Sequence, residues 1–226
     1  MTEIRFLGHA AFTISDGHTT VLIDPFLTGN PKAAISADDV SADTILVTHA
    51  HADHVGDTVA ISKRTGAPVV AIVELAAELE EAGAASTIGI NFGGTAVFDW
   101  GWAKMVPAWH TGVSDKGVAT TPAGFLINFK DTIVYHLGDT GLFSDLKLVG
   151  KRHPVDVALI PVGGHFTMDP VDGVDAADFI GAQTVIPCHY NTFPAIEIDV
   201  SSYQRDVEAQ TSSHCVVLEP GQTHTV

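Results

Sequence analysis

Thr48-His49-Ala50-His51-Ala52-Asp53-His54 decides how this chain is read. The stretch ends the β-branched run Thr44–Thr48 and precedes a helical pattern over Val55–Arg64 that Gly66 stops. In extended backbone, residues two apart share a side, so His49, His51 and Asp53 can converge on one side of the loop. His54 breaks the alternation where the chain turns into the helix, and it is free to point elsewhere. A donor set divided in this way suits two adjacent cations better than one. Ala50 and Ala52, between the donors, leave room for close approach of the backbone. A histidine cluster can also be a solvated loop or a tag. This one is internal, begins at a strand end and alternates with alanine.

On its N-terminal side, Glu3–Leu7, Ala11–Ser15 and Thr19–Ile23 read as short strands, with turns at Gly8 and Asp16-Gly17. Beyond it, Pro68–Val73 reads as a strand and Glu74–Ala82 as a helix ending at Gly83. Strands return at Ala96–Trp100, Lys104–Ala108, Gly124–Asn128 and Ile133–His136. The pattern then alternates: helix Phe143–Gly150, strand Val155–Pro161, helix Gly173–Ile180, strand Thr184–Pro187, helix Tyr203–Gln210 and strand Cys215–Leu218. The order β-rich, βα, β-rich, βα predicts two similar halves, each a sheet with helices on one outer face. Periodicity supports the alternation alone. The α/β (α+β) reading as a four-layer αββα sandwich leans on the motifs.

The 226 residues fit one domain, 1–226, better than two. Hydrophobic residues make up 46% and charged residues 17%, which is ample material for a core. Eleven Lys and Arg stand against 27 Asp and Glu, a formal charge of −16. Two divalent cations would leave the protein acidic, so a nucleic-acid partner is not expected. A small anion held by a metal remains compatible. Cys188 and Cys215 form no disulfide framework, Met1–Gly8 lacks a secretory pattern, and no apolar run reaches ~18 residues. A cytoplasmic protein with a small-molecule substrate and no membrane partner is expected, and a homo-oligomer is compatible.

The histidine segment resembles the signature of the metallo-β-lactamase superfamily. That family's other motifs have counterparts in order: Asp24 in Leu22-Ile23-Asp24-Pro25-Phe26, His110 in Ala108-Trp109-His110-Thr111, Asp139 in Leu137-Gly138-Asp139-Thr140, and His189 in Pro187-Cys188-His189-Tyr190. Gly8-His9-Ala10, Leu22–Phe26, Gly138–Gly141 and Pro161–Asp169 further resemble a group of compact bacterial metal-dependent hydrolases of unassigned substrate, related to the ascorbate-6-phosphate lactonases. His165 departs from that group, where a smaller polar residue such as Asn is expected.

The resemblance implies the αββα sandwich and a division of roles. His49, His51 and His110 would hold one metal; Asp53, His54 and His189 would hold a second; and Asp139 would bridge them. Asp24 would orient a metal-bound group by hydrogen bonding. Such ligation suits zinc, with manganese, iron or nickel as alternatives. Two cations ~3.5–4 Å apart can share a water and turn it into a hydroxide nucleophile at neutral pH. The implied activity is hydrolysis of a small ester, lactone or phosphate-containing metabolite, with Asp139 and Asp53 in the catalytic machinery.

Other histidines are weaker candidates. His9, between two early strands, could contact substrate or donate a proton, or could simply occupy a turn. His165, beside Gly163-Gly164, is expected at the site's edge, where it could protonate a leaving group. His136 reads as packed, and His18, His153, His214 and His224 as turn or tail residues. Cys188 reads as a small buried residue, Trp100 and Trp102 as packing, and Trp109 as a candidate substrate contact. Three rivals share the scaffold. A phosphodiesterase or nuclease is disfavoured by the acidity. A diiron oxygen or nitric-oxide reductase resembles H-x-E-x-D-H, with a carboxylate where this chain has His51. A non-catalytic metal-binding protein is opposed by the complete ligand set.

Overall fold

Alternation along the strands decides which residues meet between the layers. The computed structural model describes residues 1–226. In chain order the first seven-stranded sheet takes β1 (Glu3–Gly8), β2 (Ala11–Ser15), β3 (Thr20–Ile23), β4 (Thr44–Leu46), β5 (Val69–Ile72) and β6 (Thr87–Ile90). The second takes β7 (Thr95–Phe98), β8 (Gly101–Pro107), β9 (Ala123–Phe129), β10 (Thr132–His136), β11 (Val157–Pro161), β12 (Thr184–Cys188) and β13 (His214–Cys215). The last strand, β14 (Thr223–Thr225), returns to pair antiparallel with β1 at the edge of the first sheet. Both sheets are mixed: β1–β3 and β7–β10 run antiparallel, while β3–β6 and β10–β13 run parallel.

Phe125, Ile127 and Phe129 of β9 pack with Ile4, Phe12, Leu22 and Ile45 of the facing sheet. Leu126, between them, points the other way and joins Leu146, Val174 and Tyr203. Those three lie on helices α4 (Leu146–Arg152), α5 (Pro170–Ile180) and α6 (Val200–Gln210), which cover the second sheet. The same period-2 division separates Val134 from Tyr135 and Leu159 from Ile160. On the first sheet, Ile61 of α2 (Thr58–Thr65) and Leu75 and Leu79 of α3 (Val73–Glu81) join the central core. Helix, sheet, sheet, helix: this is the expected four-layer sandwich. No helix is long and apolar enough to cross a membrane.

Several element readings need correction. The helix expected over Val55–Arg64 is two pieces, α1 (Ala52–Val55) and α2, parted at Gly56-Asp57. Gly56 has φ +40°, and a Cβ there would collide with the Pro25 carbonyl, so the chain presses on the Pro25-Phe26 turn instead of continuing the helix. Asp57 then accepts the Leu27 and Thr28 amides at 3.1 and 2.7 Å. The strand expected at Cys215–Leu218 is reduced to His214–Cys215. Helix α5 begins at Pro170, three residues earlier than expected, because Asp169 caps it by accepting the Val171 and Asp172 amides. The helix expected from Phe143 starts at Leu146.

Candidate metal centre

The donor-type residues lie just beyond strand ends. His9 follows β1, Asp24 follows β3, His49 and His51 follow β4, His110 follows β8, Asp139 follows β10 and His189 follows β12. Asp53 and His54 sit on the single turn of α1, directly after a bend at Ala50-His51, so Asp53 does not continue the extended alternation expected of His49 and His51 and falls in a different donor set. Gly138 (φ +65°) lets the Asp139 turn close on the β4 end. A Cβ there would strike the Ala123 carbonyl and lie 3.2 Å from the Thr48 side chain. His136 braces the same turn from within the core. Its Nε2 lies 3.0 Å from the Ala10 carbonyl, and its Nδ1 accepts the Gly138 amide at 3.0 Å.

The donor atoms gather into adjoining sets. His49, His51 and His110 form one, with His49 Nε2 2.9 Å from His51 Nδ1. His9, Asp53, His54 and His189 form another. Asp139 lies between them: its Oδ2 is 3.1 Å from His189 Nε2, 3.3 Å from His54 Nε2, 3.6 Å from His110 Nε2 and 3.9 Å from His49 Nε2. With zinc–ligand bonds of ~2.1 Å, two donors to one ion stand at most ~4.2 Å apart, so all four separations fit shared cations. His49, His54, Asp139 and His189 are buried, whereas His51, Asp53 and His110 are half-buried. A cavity of about 370 Å³ opens onto His51, Asp53, His110, Asp139 and His189, with Thr111 and Phe166 completing its wall.

Asp24 makes no contact with that cavity; it fixes the rings behind it. Its Oδ1 accepts the Thr48 amide at 2.8 Å, and its Oδ2 accepts the Thr48 hydroxyl and His54 Nδ1–H, both at 2.7 Å. Because the Thr48 proton goes to Asp24, the hydroxyl oxygen is left to accept from His49 Nδ1 at 3.0 Å. Both imidazoles therefore keep a proton on Nδ1, and Nε2 is the atom that each presents to the centre. This is the arrangement that a metal ligand needs.

Charges in the cluster are strongly coupled. Burial pushes the Asp139 carboxyl up, but His189 and His54 outweigh it and hold the group well below the usual carboxylate range. Burial also opposes ionisation of Asp53, and the His189 and His9 rings beside it overturn that. His54, despite burial, is held well above the ordinary imidazole value by Asp139 and Asp24, and His189 is raised to about 9, chiefly by Asp139. His49 and His110 are lowered, mainly by burial. Protons on His54 and His189 thus balance the buried carboxylates where divalent cations could.

Unpaired atoms show that the residues fit such cations. His54 Nε2, both ring nitrogens of His189 and Asp139 Oδ1 are buried without a hydrogen-bond partner. Native interiors leave few such atoms, and these lie in the donor cluster. Six imidazoles and two carboxylates make a donor set that zinc, manganese, iron or nickel could occupy.

The structure brings together all seven residues read as ligands, with Asp24 directly behind them. His9, a minor candidate in the sequence, is buried among them. His165 is not brought in. It is exposed at φ +47°, its ring edge-on to Phe166, and Phe166 is the residue that reaches the cavity. Trp109 is 72% exposed beside His110, with its ring stacked near Phe143. Sequence reading missed Thr48, Thr192 and Phe166. A hydroxyl residue abutting a ligand histidine is the signal that could have flagged Thr48.

The chain matches the family model described as "Beta-lactamase superfamily domain" over residues 3–189. It is 46% identical over 224 residues to a UPF0173 metal-dependent hydrolase of Thermus thermophilus, covering 98% of each chain. A UPF0173 metal-dependent hydrolase of Pelotomaculum thermopropionicum is 44% identical over 226 residues, again with 98% of each chain covered. Among solved structures it is similar to Igni18, described as a novel metallo hydrolase of Ignicoccus hospitalis. That likeness has a TM-score of 0.90 and 34% identity, over 99% of this chain and 97% of that one.

Proposed function

This chain belongs to the beta-lactamase superfamily and is one of its metal-dependent hydrolases, and from that premise we propose that it cleaves a small, uncharged ester or lactone at a two-metal centre, residues 1–226 acting as one domain. The observation that carries the substrate class is the cavity wall. It holds no Lys or Arg, and beyond the donor residues it offers only the Thr111 hydroxyl and the Phe166 ring. A phosphate-bearing substrate would find no Lys or Arg there, whereas a carbonyl compound with an apolar group finds the Phe166 ring.

His49, His51 and His110 would hold one ion, Asp53, His54 and His189 the other, and Asp139 would serve both. When bound, divalent cations supply Lewis acidity toward a carbonyl oxygen and make water acidic enough to act as a nucleophile near neutral pH. The chain's own residues do the rest. Asp24 and Thr48 hold His54 and His49 in one tautomer, and Asp139 keeps its negative charge inside the cluster. Phe166 orients the substrate's apolar part, and the open cavity admits solvent to protonate the leaving alkoxide. His165, outside the cavity wall, has no part in this scheme. Zinc is the first metal to test and manganese the second.

The reading is tested with zinc- and manganese-loaded protein on neutral nitrophenyl esters, simple lactones and bis(nitrophenyl) phosphate. We expect kcat/KM for the best neutral substrate to exceed that for the diester by at least ~10-fold, the scale of discrimination an apolar pocket gives. Faster diester cleavage would favour the phosphodiesterase. Turnover of no substrate, or consumption of oxygen or nitric oxide, would favour the non-catalytic or diiron alternatives.

A further inference from the structure

His9 is the buried titratable group that this scheme leaves without work, and its surroundings are unusual. It follows Gly8 at a β-bulge where the β1–β2 register shifts between Phe6 and Gly8. Gly8 has φ +111°, and a Cβ there would lie 2.5 Å from the Lys32 carbonyl oxygen. His9 itself adopts φ +60°, a conformation that a ring-bearing residue takes only where the surroundings impose it. Its carbonyl accepts the amide of His189, which is also left-handed at φ +54°, at 2.7 Å. Two strained backbone positions are thus tied together, and their rings lie 4.0 Å apart.

Each ring nitrogen has one partner, and which of them carries the proton decides what His9 can bind. His9 Nδ1 lies 2.9 Å from Thr192 Oγ1, and the Thr192 hydroxyl is directed at the Tyr190 carbonyl at 3.4 Å. With its proton pointed there, Thr192 can accept from His9 Nδ1–H. A neutral imidazole in that tautomer turns the Nε2 lone pair toward Asp53 Oδ2, 3.1 Å away. Without a cation, Nε2–H can donate to this carboxylate; a cation between the two atoms would take both lone pairs and leave the ring proton on Nδ1, facing Thr192. Asp53 Oδ2 is also 3.8 Å from His189 Nε2 and 4.0 Å from His54 Nε2. All these separations stay within the ~4.2 Å span of donors around one zinc.

We infer that His9 is a fourth protein donor, through Nε2, to the ion held by Asp53, His54 and His189, with Thr192 fixing the donor tautomer. This rests on the two-ion reading above. It makes the two positions unequal, since one takes His49, His51 and His110 and the other takes three histidines and Asp53, with Asp139 common to both. The position containing His9 is then the tighter.

Two measurements on the full chain test the assignment. Zinc is titrated against a chromophoric chelator in wild type, His9→Asn and Thr192→Val, with circular dichroism as a check on folding. Asn tolerates positive φ but is too short to place a donor at the same point. We expect wild type to show two binding constants. His9→Asn should keep one and weaken the other by at least ~10-fold, and Thr192→Val should weaken the same one less. A crystal structure of the zinc-loaded wild type, which does not depend on any variant folding, should show Nε2 at ~2.0–2.1 Å from zinc. Two unchanged constants in His9→Asn, or Nε2 more than ~3 Å from zinc, would overturn the role of His9 and leave the two-ion reading intact. Wild type that takes a single zinc would overturn both.

Discussion

Asp139→Asn is expected to lower kcat by at least ~100-fold at equal metal loading, with a much smaller change in KM. The carboxylate is buried, with one oxygen 3.1–3.9 Å from four imidazole nitrogens drawn from both donor sets and the other unpaired. Asparagine keeps the volume but removes the charge and leaves one neutral oxygen where the carboxylate offers two. A side chain serving two cations acts mainly where charge develops, so its loss should fall on turnover more than on substrate binding. The comparison is steady-state kinetics of wild type and variant on the best ester or lactone, with metal content measured in the same samples. Turnover unchanged in the variant would contradict a shared carboxylate.

Asp24→Ala should produce the largest effect on stability. The carboxylate is fully buried and accepts three hydrogen bonds, from the Thr48 amide, the Thr48 hydroxyl and His54. Alanine strands the amide and the imidazole N–H, at ~1–3 kcal/mol each. Removing one buried anion near Asp139 offsets part of that, so a net loss of about 2–4 kcal/mol is expected from denaturant unfolding of the metal-free protein. The freed His54 and His49 rings should also weaken metal binding on the order of 10–100-fold, as loss of a group behind metal ligands does. Asp24→Asn, which retains one acceptor, should fall between the two. Wild-type stability and affinity in Asp24→Ala would show that the ring orientation has another source.

Much of this architecture was legible in the residues because burial imposes period 2. The strands that carry the core, such as Phe125–Phe129 and Val157–Pro161, announce themselves by apolar and β-branched residues. The strands missed were those where that pressure is absent. β14, Thr-His-Thr, is a polar edge with its side chains partly or wholly exposed. β6 contains Gly89, which is there because a Cβ would meet the α3 backbone at Val73, 3.2 Å away.

The site divides along the same line. Residue types that ligate metals are few, so His49, His51, Asp53, His54, His110, Asp139 and His189 could be picked out from the chain, and the structure brings them within reach of one another. Thr48 and Thr192 could not, because a hydroxyl's role depends on which way one proton points. His9 is drawn inward by a bulge and a left-handed backbone. His165 is also left-handed, yet it is turned outward, so that its neighbour Phe166 takes the cavity wall.

The central claim, a centre that holds two ions, is tested most directly by calorimetric titration of zinc into the metal-free protein near pH 7, repeated in buffers of different ionisation enthalpy. His54 and His189 are raised above the ordinary imidazole value and so are protonated at that pH without metal. Each must give up its proton to ligate, so affinity should rise with pH toward about 9, where His189 titrates. About two zinc ions should bind per chain, with release of about two protons. Saturation at one ion, or binding of two ions with no proton release, would contradict this.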